Sequence, residues 1–251
     1  MNTAATSESQ IPALRQLWKI AFGDTDAFLD DFFSTAYAPE RSRCVTVDGE
    51  VAAALYWLDC GLDNAKLAYI YAVATDPVHR GKGLCRTLMA DTAEVLKQAG
   101  YQGIVLVPQK PSLIQMYAGM GYVPCSGVTE FHVMAGEPIS LGKVTPEEFA
   151  ALRRELLPKN GVVQEGENLD LLKTQTALYA GENWLAVTAE VDGMLWCPEL
   201  LGDPKAAPGI TAALGYREGS FRMPGTERPF AMFRPLLKDC PQPAYFGLAF
   251  D

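Results

Sequence analysis

The stretch from Tyr69 to Gln98 constrains the fold more than any other part of the chain. A dense apolar run, Tyr69-Ile-Tyr-Ala-Val-Ala-Thr75, gives way to Arg80-Gly-Lys-Gly-Leu-Cys-Arg86, and helical periodicity starts at Leu84 and continues to Gln98. So continuous an apolar run reads as a strand buried on both faces. A strand, a glycine-rich basic turn and a helix start make an anion site. Glycines allow the backbone to approach a ligand closely. The N–H groups of the first helical turn point at the ligand, and the helix dipole favours negative charge. Arg80, Lys82 and Arg86 add positive charge on a chain whose net charge is −9, so their clustering has a local cause.

At 251 residues the chain can hold one large domain or two of ordinary size. No apolar run reaches the ~18–20 residues that span a bilayer, so no membrane association is expected. The N-terminal Met1-Asn-Thr-Ala-Ala-Thr-Ser-Glu-Ser9 has neither a basic segment nor an apolar one, and no secretory signal is read there. Six scattered cysteines with no C-x-x-C, and only two histidines, argue against a metal site. Several cysteines lie in apolar runs, which suits reduced, buried thiols and a cytoplasmic location. The acidic balance argues against nucleic-acid binding and is compatible with a cationic substrate.

Ile11–Phe22 has apolar residues at helical spacing, and Asp24 or Thr25 can cap a second helix running to Tyr37. Residues 43–47 and 51–58 read as strands around the turn Asp48-Gly49. After strand 66–75 and helix 84–98, Gly100 stops the helix and Gly103-Ile-Val-Leu-Val-Pro108 reads as the next strand. A helix over 111–120 ends at Gly121, and 122–134 reads as one strand interrupted near Ser126-Gly127. Gly136-Glu-Pro138 looks like a linker. Beyond it, Thr145 with Pro146 and Glu148 forms a capping box. Two domains, 1–136 and 137–251, are therefore expected. The second resembles a repeat of the first: Ala99-Gly-Tyr leads to a strand ending at Pro108, as Leu214-Gly-Tyr leads to one ending at Pro224. Thr75-Asp-Pro77 likewise matches Gly202-Asp-Pro204, but the basic glycine loop occurs only in the first copy.

Arg80-Gly-Lys-Gly-Leu-Cys85 resembles R/Q-x-x-G-x-G/A, the acyl-coenzyme A signature of the GNAT acetyltransferase superfamily, with Cys85 in place of the usual Gly or Ala. Ser112-Leu-Ile-Gln-Met-Tyr117-Ala-Gly-Met-Gly121-Tyr122 resembles the family's later helix and following strand. The resemblance covers roughly residues 10–134. It implies an α/β (α+β) fold of two GNAT-like domains, each with a mixed, mostly antiparallel central sheet flanked by helices. In the first, a splayed parallel strand pair holds coenzyme A. The second is a degenerate GNAT-like domain without the coenzyme loop.

The resemblance also implies site residues. Backbone groups of Val73, Ala74 and Thr75 would hold the pantetheine arm, and Gly81, Lys82, Gly83, Leu84, Cys85 and Arg86 the pyrophosphate. Arg80 and Lys82 would add charge, Ser112 would join the coenzyme site, and Tyr117 would be the acid. An intrinsic phenol pKa of ~10 suits protonation of a thiolate leaving group. The Val73 N–H is the candidate oxyanion donor. No base is assigned: Asp59, Asp63 and Glu130 lie near strand ends on the expected acceptor side, but each reads better as an ordinary turn or edge carboxylate. Tyr69 and Tyr71 share a strand face and are candidate pocket residues. Cys85, at a helix start beside cations, is expected to have a lowered thiol pKa, but no histidine partner points to covalent catalysis. His79 reads as a turn or phosphate-edge residue rather than a base.

The resulting expectation is an N-acyltransferase that moves an acetyl group from acetyl-coenzyme A, without a metal, to a primary amine of a small molecule or peptide. The alternative is a non-catalytic acyl-coenzyme A sensor. The second domain is a candidate scaffold or homodimer surface. The apolar tail Ala244-Tyr-Phe-Gly-Leu-Ala-Phe-Asp251 is expected to dock as a strand, against a first domain in which no opening strand is read.

Overall fold

The structure, a computed structural model describing residues 2–250, begins with strand β1 (Asn2–Ala5). Helix α1 (Ile11–Phe22) buries Leu14, Leu17 and Trp18 on one stripe. It stops at Gly23, whose φ of 81° is open to glycine. Helix α2 (Asp26–Thr35) starts at Thr25, which accepts the Phe28 N–H at 3.2 Å and so satisfies an orphan donor. Of the two candidate caps, Asp24 is engaged elsewhere, accepting the Trp18 indole N–H at 2.7 Å. Strands β2 (Ser42–Val47) and β3 (Glu50–Leu62) turn at Asp48-Gly49, both with positive φ. Then follow β4 (Ala65–Thr75), α3 (Leu84–Gln98), β5 (Gly103–Leu106), α4 (Pro111–Ala118) and β6 (Val123–Pro124).

The remaining elements are β7 (Gly127–Met134), β8 (Gly142–Lys143), α5 (Pro146–Leu156), β9 (Val163–Gln164), α6 (Glu167–Gln175), β10 (Ala177–Ala180) and β11 (Trp184–Val191). After them come β12 (Met194–Gly202), α7 (Ala207–Ala213), β13 (Glu218–Pro224), β14 (Arg228–Pro229) and β15 (Met232–Pro235). Helix α5 opens with the expected capping box: Glu148 N–H to Thr145 Oγ1 at 3.2 Å and Thr145 N–H to Glu148 Oε2 at 2.8 Å.

Two mixed sheets carry these helices. One runs β1-β2-β3-β4-β5-β15-β6 and the other β8-β10-β11-β12-β13-β7-β14. In each, the first four strands pair antiparallel and the fourth and fifth pair parallel. The first unit comprises residues up to Leu106, Pro111–Val123 and Phe233–Cys240; the second comprises Val107–Lys110, Pro124–Met232 and Pro241 onward. In the first, Leu14 and Leu17 of α1 pack on Cys44, Ala54 and Ala74 of the sheet. In the second, Ala207 and Ile210 of α7 pack with Ala186, Leu195, Leu200 and Phe221.

Several expectations are corrected. The units do not divide between residues 136 and 137. The stretch 122–134 is not one strand: β6 belongs to the first sheet and β7 to the second, and β15 returns the chain to the first sheet. The first unit does not lack an opening strand, because Asn2–Ala5 pairs antiparallel with Arg43–Thr46. The tail docks, but within the second unit and without forming a strand. Gln164 Nε2 donates to the Leu248 carbonyl at 2.6 Å and Gln164 Oε1 accepts the Leu248 N–H at 3.1 Å. Ser126 Oγ accepts the Phe246 N–H at 3.1 Å, and Val162 N–H donates to the Tyr245 carbonyl at 2.8 Å. Side-chain groups and a single backbone bridge stand in for a ladder, so an irregular segment is buried with its polar backbone paired.

Candidate active site

The site is built on an irregularity in β4. Ala53 pairs with Thr75 and Ala54 with Ala74, but Tyr56 pairs with Tyr71, so β4 carries one extra residue. Ala72 takes up the distortion at a φ of 48°, a left-handed conformation uncommon for alanine. Such a bulge re-aims backbone groups and leaves part of a ladder unpaired. It falls beyond Tyr71, so Tyr69 and Tyr71 do share a face, with ring centroids 5.9 Å apart. Tyr71 packs edge-on to Trp18 at 5.5 Å, and Tyr69 is buried.

Pairing between β4 and β5 is confined to Leu67–Gly103, Ala68–Ile104 and Tyr69–Val105. Past these pairs lie the bulge and the backbone of Val73, Ala74 and Thr75. The Thr75 carbonyl accepts from Arg80 Nε at 3.1 Å, so Arg80 folds back on the strand end and braces the turn. Asp76 Oδ1 accepts the Val78 N–H at 2.9 Å, and His79 closes the short turn by donating its N–H to the Asp76 carbonyl at 2.9 Å.

Gly81 and Gly83 have φ of 75° and 79°, and a Cβ built on either meets nothing within 4 Å. Conformation therefore demands glycine, and the space above the turn is open. Gly83 is the N-cap of α3 without a side-chain hydrogen bond, and the first helical bond runs from Thr87 N–H to the Gly83 carbonyl at 3.0 Å. The N–H groups of Leu84, Cys85 and Arg86 precede that bond, which is the arrangement an anion occupies. Arg80, Lys82 and Arg86 are exposed, and among the described residues no carboxylate forms an ion pair with them.

Tyr117 is buried on α4, edge-on to Tyr122 at a centroid distance of 5.8 Å. Burial, with Cys85 nearby, pushes its phenol well above the ordinary range, so it holds its proton. Cys85 behaves opposite to expectation: burial outweighs Arg86 and raises its thiol pKa. Arg86 turns toward α4 and donates from Nη1 to the Gly119 carbonyl at 2.9 Å. Ser112 is exposed at the start of α4.

Two of the three candidate carboxylates are engaged elsewhere. Asp59 accepts from the Tyr101 hydroxyl and lies 3.5 Å from Lys66 Nζ. Glu130 pairs with Arg228 in the second unit. Asp63 sits at the β3–β4 turn with a φ of 51°. Two features had no sequence signal: the bulge at Ala72, because alanine does not advertise a positive φ, and the Arg86–Gly119 contact, because the glycine supplies only a carbonyl.

The second unit repeats the frame without the site. Its β12 also carries an extra residue against β11, and β12 and β13 pair only at Leu195–Gly219, Trp196–Ser220 and Cys197–Phe221. Where those strands part, Arg222 Nε donates to the Pro198 carbonyl at 2.9 Å. Its guanidinium lies 4.4 Å from the Phe230 ring centroid. The next helix, α7, starts from Ala206 with no glycine turn and no basic cluster.

A mixed sheet parted beside a bulged strand, with a glycine-capped helix at the open end, defines the GNAT class of fold. The family model described as an acetyltransferase (GNAT) domain matches residues 3–125, and this chain carries a GNAT acetyltransferase domain over that stretch. Solved structures agree. A GCN5-related N-acetyltransferase from Anabaena variabilis has a TM-score of 0.73 at 13% identity, covering 94% of this chain and 72% of that one. One from Kribbella flavida has a TM-score of 0.70 at 17% identity, with the same coverage. A putative acetyltransferase from Pyrococcus horikoshii has a TM-score of 0.64 at 12% identity, covering 98% of this chain and 93% of that one. The shared fold thus extends beyond residue 125 into the second unit. No curated protein matches the sequence. No helix is long and apolar enough to cross a membrane, and no metal-ligating cluster occurs among the described residues.

Proposed function

We propose that the protein is an N-acyltransferase that moves an acetyl group from acetyl-coenzyme A to a primary amine of a small molecule or peptide, by direct attack in a ternary complex. The observation that carries this reading is the start of α3, capped by a glycine with no side-chain hydrogen bond, beside the bulged end of β4. The open space over Gly81 and Gly83 fits a pyrophosphate. Backbone groups of Gly81 to Cys85 would hold it, with charge from Arg80 and Lys82 and with Ser112 nearby on α4. Backbone groups of Val73, Ala74 and Thr75 would take the pantetheine arm.

When bound, acetyl-coenzyme A supplies the thioester carbonyl that the amine attacks and the thiolate that leaves. The chain supplies position and protons. The Val73 N–H donates to the carbonyl oxygen as negative charge develops there. Tyr117, protonated because it is buried, gives a proton to the departing sulfur. With Asp59 and Glu130 engaged elsewhere, water takes the proton of the attacking amine. The second unit serves as a degenerate GNAT-like scaffold with no coenzyme site of its own. Six free cysteines suit a reducing cytoplasm.

The test is release of free thiol from acetyl-coenzyme A against panels of small amines, aminoglycosides, amino acids and peptides. Acceptor-dependent release that drops sharply in Tyr117→Phe is expected. Tight coenzyme binding without turnover on any panel would overturn the reading.

A further inference from the structure

We infer that Arg86 is a positioning residue that sets Tyr117 relative to the coenzyme loop by clamping the end of α4 to the first turn of α3. The inference rests on the proposed acid role of Tyr117. It starts from an electrostatic conflict. Arg86 is in the first turn of α3, where the helix dipole disfavours a cation. The structure shows what offsets the conflict: Arg86 Nη1 donates to the Gly119 carbonyl at 2.9 Å. That carbonyl lies just past the C-terminal end of α4, where unpaired carbonyls concentrate negative charge and favour a cation.

The contact lies two residues from Tyr117. Gly119 N–H donates to the Gln115 carbonyl at 3.0 Å, Met120 N–H to the Tyr117 carbonyl at 2.8 Å, and Tyr122 N–H to the same carbonyl at 3.1 Å. The Gly119 carbonyl is therefore part of the turn that closes on Tyr117. The surroundings of Gly119 agree with this placement: Arg86 Nη2 lies 3.6 Å from where a Cβ on Gly119 would sit. The first turn of α3 thus bears on the end of α4 through a charge-assisted hydrogen bond. Among the described residues no other side-chain hydrogen bond joins α3 to the end of α4. The helix holding the proposed acid is registered on the helix holding the proposed phosphate site through one guanidinium. Arg86 therefore acts on the reaction through Tyr117.

The experiment is a double-mutant cycle of Arg86→Gln and Tyr117→Phe, with coenzyme A binding followed by calorimetry and α4 followed by hydrogen exchange. Arg86 is exposed, and unchanged thermal unfolding of Arg86→Gln will show that the fold is kept. The expected result is a kcat lowered about tenfold in Arg86→Gln, from misplacement of the acid. Little further loss is expected when Tyr117→Phe is already present, the signature of residues acting as a unit. The coenzyme A Kd should stay within about twofold, as when no ligand contact is lost. Amide exchange at Gly119–Tyr122 should be faster. Additive losses in the cycle would overturn the inference. So would a weakened Kd with kcat intact, which would make Arg86 a phosphate ligand. Unchanged exchange at Gly119–Tyr122 would remove the clamp whatever Tyr117 does, whereas faster exchange with full activity in Tyr117→Phe would sink the acid reading and leave the clamp standing.

Discussion

Arg222 reaches across the opening between β12 and β13 and donates to the Pro198 carbonyl at 2.9 Å. Among the described residues no guanidinium bridges the corresponding opening between β4 and β5, and beside it stands a glycine-capped helix. One chain therefore presents two parted strand pairs with opposite fates, one bridged by its own guanidinium and one open beside a glycine-capped helix start. Coenzyme A should bind with a stoichiometry of one per chain by isothermal calorimetry. Arg222→Met should leave that number at one, because α7 lacks the anion turn, while destabilising the fold. Loss of the buried donor strands the Pro198 carbonyl, at a cost of about 1–3 kcal/mol in urea unfolding.

A buried ion pair lies in the same unit. Arg153 Nε and Nη2 donate to the two Glu199 oxygens at 2.7 and 2.9 Å, and the Tyr245 hydroxyl adds a third hydrogen bond at 3.0 Å. Both charged side chains are almost fully buried. Removing one charge leaves the other unpaired away from water, which costs about 3–5 kcal/mol. Glu199→Gln should therefore lower the urea midpoint by that equivalent. A change below about 1 kcal/mol, the worth of a surface pair, would show that the cluster is hydrated.

Local chemistry made much of this molecule legible in the sequence. Thr145 with Glu148, Asp48-Gly49, and Gly100 each decide a cap or turn within a few residues, and the structure bears them out. What stayed hidden depends on distant partners. The alternation in Gly127–Met134 says that the segment is a strand but not which sheet will take it. Asn2-Thr-Ala-Ala5 carries no apolar face, because as an edge strand it is held by the β2 backbone. The tail read as apolar, but its irregular path is set by Gln164 and Ser126, far back in the chain. In the candidate site the glycines were legible and the charges less so. In the sequence Arg86 is one more cation beside the glycines, whereas in the structure its guanidinium turns to the Gly119 carbonyl.

Gly83 separates conformation from ligand contact. At a φ of 79° any side chain is strained, so Gly83→Ala should cost about 1–2 kcal/mol of stability. Gly83→Asp carries the same strain and adds a negative charge where the pyrophosphate is proposed to sit. Coenzyme A affinity, measured by calorimetry on both variants at matched fold content, should fall much further for Asp than for Ala. Equal Kd values would move the phosphate away from this turn.

Two raised pKa values set the expected pH behaviour. Tyr117 is pushed above its usual ~10, so deprotonation of the acid should not limit the reaction at any pH up to about 10. A kcat profile falling near pH 8 or 9 must then have another cause, and if Tyr117→Phe abolished that limb, Tyr117 would be titrating there and the burial argument would fail. Cys85 is raised as well, so its thiolate is scarce near neutrality. Iodoacetamide should label it more slowly than a free thiol at pH 8, as read by peptide mass spectrometry, with the rate climbing only above the ordinary thiol range of about 8.5.

The tail offers the last test. Tyr245, Phe246 and Leu248 are buried in the second unit, and their backbone is held by Val162, Ser126 and Gln164. A terminal segment tied down in this way contributes like a core element. Phe246→Ala removes a fully buried ring and should cost about 3–5 kcal/mol. Gln164→Ala keeps the apolar burial but leaves both backbone groups of Leu248 without their partner, and should cost about 1–3 kcal/mol. Urea unfolding measures both. If deleting residues 244–251 left the midpoint unchanged, the tail would be an ornament on a unit that folds without it, and the hydrogen bonds to Gln164 and Ser126 would contribute nothing to stability.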